Sequence, residues 1–262
     1  MAERRPVAFR GGGFAHVPVR GAALVAFVGL VAFWEFAVAR GYVSPIFLPA
    51  PSSVLLALGE LWNAGTLWRH VSESLVRLAG GWTVGTGCGL AAGFAIGVWS
   101  LGRAVGVPFV SALFPIPKIS LLPLLILWLG IGEASKIATI ALGVFFPTAI
   151  ATYAAIDAVP RNLIRMAQSF DLPAADVLRK VVLPGALPGI LAGFRISTSI
   201  ALILLVSAEM IGAQYGIGAF ILQAGNLMLT DQLLAGVLLI SILGLALGTA
   251  LTRIERRLLR WR

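Results

Sequence analysis

The chain has 262 residues, of which 59% are hydrophobic and 12% charged, with a mean hydropathy of +0.95. That is far too apolar for a soluble domain of this length and predicts an all-α, polytopic membrane protein with one membrane domain. The net charge of +9 raises the question of nucleic acid, but the basic residues sit at the ends of apolar runs, so no nucleic-acid partner is expected.

In chain order, a basic tail at 1–20 precedes the first candidate span at about 21–39. This span ends in Ala37-Val38-Ala39, which resembles a signal-peptide cleavage site. A run of about nineteen residues holding Trp34 and Glu35 fits a retained span better. Next comes an external amphipathic segment at about 50–68. Ser52 is its candidate cap, and Val54, Leu55, Leu58, Leu61 and Trp62 form its apolar positions. It either lies on the outer membrane surface or meets an external binding protein.

The second span, about 75–99, carries Gly81, Gly85, Gly89, Gly93 and Gly97 at every fourth position. In lipid such a ridge marks close helix approach, read here as a static contact within the chain ahead of a moving contact or a dimer seam. Its one cysteine, Cys88, gives no disulfide framework or zinc cluster and is expected to be a small packing residue.

The third span, about 105–131, is interrupted by Pro108, Pro115, Pro117 and Pro123, with Lys118 among them. Irregular backbone at membrane depth survives only when buried in protein or lining a watery cavity, so this span is expected to border a translocation path. Lys118, Pro115, Pro117, Arg195 and Glu209 are the candidate path residues. A lysine there costs roughly 2.5–3.5 kcal/mol to insert, so Lys118 either snorkels, pairs with Glu35, Glu209 or a carbonyl, or faces the path and favours anions. Arg195 either reaches the cytoplasmic interface or the coupling loop, with Glu209 and Glu35 as possible partners, or joins Lys118 at the path.

Spans at about 134–156, 184–211 and 233–251 bring the total to six, each long enough for a hydrocarbon core of roughly 30 Å. Arg4, Arg5, Arg10, Arg20, Arg103, Arg161, Arg165, Arg179, Lys180, Arg253, Arg256, Arg257, Arg260 and Arg262 then share one side. The other side holds chiefly Arg40, Arg69 and Lys136, so the positive-inside rule places both termini in the cytoplasm. The basic tail at 252–262 reads as a cytoplasmic anchor ahead of a lipid- or RNA-binding role, and membrane lipid is an expected partner of the chain.

Between spans four and five lies the charged loop 157–182. Leu163, Met166, Ala167 and Phe170 recur at helical spacing, with Arg161 and Arg165 on the other face. Asp171 marks the stop, either in a left-handed conformation or as an extended cap on a second helix from about Pro173 to Val182. The segment resembles the coupling loop of ABC-importer permeases, whose signature is Glu-Ala-Ala, three residues, Gly, nine residues, then Ile-x-Leu-Pro. Those positions fall here on Arg165, Met166 and Ala167, on Asp171, and on Val181, Leu183 and Pro184. The spacing is kept, while the Glu, one Ala and the Gly are replaced.

Phe47-Leu48-Pro49-Ala50-Pro51, Pro115-Ile116-Pro117-Lys118, Leu127-Trp128-Leu129-Gly130-Ile131-Gly132 with Ser135-Lys136, and Leu183-Pro184-Gly185-Ala186-Leu187-Pro188 are similar to the nitrate/sulfonate/taurine branch. The likeness runs from about Phe47 to the C-terminus. It implies a type I importer permease fold in the bacterial plasma membrane, with Arg161, Arg165, Met166, Ala167, Phe170, Asp171, Leu183 and Pro184 coupling to a cytoplasmic ATPase. It also implies an external solute-binding protein and a second permease copy, as a homodimer. ATP and Mg2+ would belong to the ATPase, with no cofactor or metal on this chain.

No phosphate-binding loop or His-Glu-x-x-His motif is present, and His16 and His70 lie outside the spans, so the chain is not expected to be an enzyme. An ion-driven secondary transporter would favour more intramembrane carboxylates and an internal repeat. A membrane-embedded enzyme would need a nucleophile or metal cluster at one depth. Neither pattern is found.

Overall fold

The structure, a computed structural model, describes residues 21–260. The tail at 1–20, with Arg4, Arg5, Arg10, Arg20 and His16, and Arg262 at the other end lie outside the described residues. The helices are α1 (Ala22–Ala39), α2 (Pro51–Asn63), α3 (Thr66–Val98), α4 (Ser100–Leu113), α5 (Leu122–Leu129), α6 (Glu133–Asp157), α7 (Arg161–Ser169), α8 (Ala174–Val177), α9 (Leu183–Gly212), α10 (Ile217–Asn226) and α11 (Thr230–Leu258). No strand occurs among the described residues.

Five helical runs are long and apolar enough to cross a membrane: α1, α3, α6, the run from α8 through α9, and α11. The broken pair α4 and α5, bent by 88°, supplies the sixth. It must cross, because α3 and α6 run parallel and the chain has to return between them. The pairing along the glycine ridge establishes this direction. Gly81 meets Ile140, Gly85 meets Ala141 and Val144, Gly89 meets Thr148, Gly93 meets Thr152 and Gly97 meets Ile156, in the same order along both helices.

The ridge therefore lies against α6, within the chain. A Cβ on Gly85 would stand 2.5 Å from the Ala141 carbonyl oxygen, one on Gly89 2.7 Å from that of Phe145, and one on Gly93 2.6 Å from that of Ala149. Backbone is the obstacle at each, so no rotamer change could make room. α9 packs antiparallel on another face of α6, where Gly189 and Gly193 meet Ala155 and Ala151. These three helices form the core, and Ile140, Val144, Ala149, Ala201 and Leu205 are wholly enclosed.

Several boundaries differ from the sequence-based expectation. The external amphipathic segment is two pieces: α2 ends at Asn63, Gly65 turns in a left-handed conformation at φ 70°, and Thr66 already belongs to α3. At 33 residues α3 is about 50 Å long, well beyond one hydrocarbon thickness. Ser52 is not the cap, since Ala50 holds that position and Pro51 supplies the first turn. Instead the Ser52 N–H and hydroxyl both donate to the Glu35 carboxylate, at 3.1 and 2.8 Å, tying α2 to α1. α2 packs against α11 through Val54, Ala57 and Ala235. Cys88 is exposed rather than packed, on the flank of α3 beside the ridge. The stretch from 252 is not a separate tail, since α11 continues to Leu258.

Candidate functional site

α7 and α8 lie at the end of the bundle reached by the last turns of α3 and α6 and the first turn of α9. Ala167 is buried against Ala155, Ile156, Val159 and Val177, so the small position of the signature faces inward. Leu163, Met166 and Phe170 point outward, with Met166 53% and Phe170 73% exposed. Arg161 and Arg165 are exposed on the other face of α7. An apolar stripe held away from the membrane core by its own buried face is a surface made to be covered.

α7 stops in a two-bond turn. The Asp171 N–H donates to Gln168 O at 3.0 Å and the Leu172 N–H to Ala167 O at 3.4 Å, with Asp171 at φ 54°. This is the Schellman arrangement, whose left-handed residue is usually glycine because a Cβ is penalised there. Its position explains why the signature carries Gly and why Asp, which tolerates that region, can replace it. Asp171 does not cap the next helix, whose N-cap is Pro173. Rather than one α-helix to Val182, α8 passes into a π-helical turn at Leu178–Val182 that runs straight into α9. Pro184 has no N–H to offer the preceding turn, and a widened turn accommodates that loss. Leu183 and Pro184 thus form the joint between the coupling loop and span five. A cleft of about 590 Å³ opens beneath α7, lined in part by Arg103, Asp157, Arg161 and Gln168. Arg103 and Asp157 pair across it, joining α4 to α6.

The opposite end is organised by Arg77, a residue sequence reasoning passed over. It is only 3% exposed. Its Nη1 donates to Glu209 at 2.8 Å and to the Tyr215 carbonyl at 2.6 Å, its Nη2 to Glu133 at 2.8 Å and Glu73 at 3.3 Å, and its Nε to Glu133. All five N–H groups of the guanidinium have partners. Glu209, 0% exposed, also accepts from the Ser74 hydroxyl at 2.7 Å and the Gly218 N–H at 2.8 Å. α3, α6, α9 and the start of α10 are thereby locked together. Gly216 is held at φ 140°, where a Cβ would stand 2.7 Å from Arg77 Nη1. An arginine inside an otherwise apolar run was the available signal.

The expected path residues separate accordingly. Glu209 is enclosed by the Arg77 cluster. Arg195 pairs with Glu255 of α11, not with Glu209 or Glu35. Lys118 pairs with no carboxylate: its Nζ donates to the carbonyls of Leu113, Phe114 and Ile116 at 2.9, 2.9 and 2.6 Å and lies 4.5 Å from the Phe146 ring centroid. The three donors of the ammonium are used on the carbonyls released at the end of α4, so none remains for a passing solute. Pro115 and Pro117 are exposed in the break itself.

Residues 85–261 match the family described as binding-protein-dependent transport system inner membrane component. The chain belongs to this family. The permease is 37% identical over 237 residues to the taurine transport system permease protein TauC of Escherichia coli (strain K12), covering 88% of this chain and 86% of that one. It is 36% identical over 233 residues to the putative aliphatic sulfonates transport permease protein SsuC of Bacillus subtilis (strain 168), covering 89% and 84%. Among solved structures, the inward-facing MetNI methionine ABC transporter superposes with a TM-score of 0.58 at 24% identity, over 74% of this chain and 95% of that chain. The fold is that of type I ABC-importer permeases. The permease is thus the membrane component of a binding-protein-dependent importer, whose other parts are an ATPase and a solute-binding protein.

Proposed function

We propose that the permease imports taurine or a related small sulfonate as a homodimer, and that α7 is the seat of the cytoplasmic ATPase, which alone holds ATP and Mg2+. The exposed Leu163, Met166 and Phe170 stripe, braced from behind by Ala167 and the Asp171 turn, carries the coupling reading. Arg161 and Arg165, exposed on the other face of α7, complement an acidic partner surface. α7, the start of α1 and the arginines of late α11 share one end of the bundle, and the charge rule makes that end cytoplasmic. The membrane domain runs from 21 into α11, whose basic last turns and both chain termini lie on the cytoplasmic side.

Identities of 36 to 37% to permeases named for taurine and aliphatic sulfonates, over most of each chain, support the solute class. The solute passes between the two copies beside the break at Pro115 and Pro117. Lys118 serves there to hold the break together through the Leu113, Phe114 and Ile116 carbonyls and does not act on the solute. The test is ATP-driven uptake of labelled taurine into proteoliposomes holding the permease, its ATPase and its binding protein. Alkanesulfonates in excess should compete, and nitrate or amino acids should not. Competition by amino acids alone would overturn the solute assignment.

A further inference from the structure

We propose that the groove between α9 and α11, at the α7 end of the bundle, binds one anionic phospholipid. The groove encloses about 500 Å³ and is lined by Arg195, Gly244, Gly248, Thr252, Arg253 and Arg256. Gly244, Gly248, Thr252 and Arg256 follow one another at four-residue steps, so they form a single row along α11. Leu245, Thr249 and Arg253 form the adjacent row.

From Gly244 to Arg256 the helix rises roughly 18 Å, close to the roughly 15 Å of one leaflet of the hydrocarbon core. The composition changes over that length as a phospholipid does. Its apolar end has two glycines beside Leu245, which is 71% exposed. A Cβ on Gly248 would meet nothing within 4 Å, so that notch is not required by packing within the chain. In the middle, Thr249 and Thr252 turn their hydroxyl hydrogens back to the Ala246 and Gly248 carbonyls at 2.8 Å. At the polar end stand three arginines against one carboxylate, Glu255, which Arg195 already holds. Among the described residues, Arg253 and Arg256 have no acidic partner. A phosphodiester would supply the missing negative charge, and an acyl chain would fill the notch. Juxtamembrane arginines contribute to such binding additively.

The test is thermal unfolding of the assembled importer in uncharged detergent, titrated with phosphatidylglycerol. Phosphatidylcholine, glycerol 3-phosphate and inorganic phosphate serve as comparisons. Phosphatidylglycerol should raise the midpoint saturably, and the other three should not. The Arg253→Gln/Arg256→Gln variant should need roughly 30-fold more phosphatidylglycerol for half the effect. Gly248→Leu, which fills the notch and leaves the arginines in place, should also weaken it. Equal protection by glycerol 3-phosphate would assign the groove to a soluble anion. An unchanged titration in both variants would place the lipid elsewhere. A changed oligomeric mass in either variant would give the groove to a second copy of the chain. Each of these three results overturns the proposal.

Discussion

Replacing Arg77 with Leu should be the most damaging single change at the end remote from α7. Glu209 would remain wholly enclosed, keeping only the Ser74 hydroxyl and the Gly218 N–H, while the Tyr215 carbonyl would lose its donor. Breaking a buried pair from one side costs about 3–5 kcal/mol, because the remaining charge stays desolvated. At about 2–4 °C per kcal/mol for a chain of this size, the unfolding midpoint should fall by roughly 6–20 °C. Removing Glu73, which is part exposed and only 3.3 Å from Nη2, should cost under about 1 kcal/mol. The double variant Arg77→Leu/Glu209→Leu should lose less than the sum of the singles, with a coupling energy of about 1–3 kcal/mol. Thermal unfolding of the purified permease in detergent, read as a double-mutant cycle, measures this. A single variant within about 2 °C of the parent, or additive losses, would refute the claim that this pair bolts the helices together.

Other substitutions test the rest of the structure. Gly89→Val should abolish folded yield, because its branch meets the α6 backbone; Gly87→Ala, on the same helix but facing open space, should be neutral or slightly stabilising. Size-exclusion yield of the two variants compares them directly. Asp171→Gly should leave uptake and stability unchanged, whereas Asp171→Val should cost about 1–2 kcal/mol through left-handed strain, seen as a lower unfolding midpoint. Lys118→Met should lower stability by releasing three carbonyls, while taurine uptake per folded complex stays near the parent's; loss of uptake at full stability would return Lys118 to the path.

Periodicity made the membrane spans and the glycine ridge legible, because both are local rules written along one helix. It could not name the partner of the ridge, since α3 and α6 are joined only through a broken span whose return crossing is a matter of three dimensions. The coupling loop was readable from spacing, yet its faces were not fully separated. Leu163, Met166, Ala167 and Phe170 all count as apolar, and only packing against Ala155 and Val159 turns Ala167 inward while the other three stay out. Partners of charged groups were least legible. Lys118 took carbonyls a few residues before it, Arg195 took Glu255 sixty residues away, and Glu209 was claimed by an arginine hidden in an apolar run. Charge pairs depend on which helices touch, and pattern alone does not carry that.

Because Met166 and Phe170 are exposed and support nothing inside the chain, changing them separates coupling from folding. ATP-driven uptake should be measured in proteoliposomes carrying Met166→Asp/Phe170→Asp permease, together with recovery of the ATPase during purification and the permease's own unfolding midpoint. Loss of uptake and of bound ATPase with the midpoint unchanged is the expected result, and full uptake with normal ATPase recovery would contradict the assignment of α7 as the coupling surface.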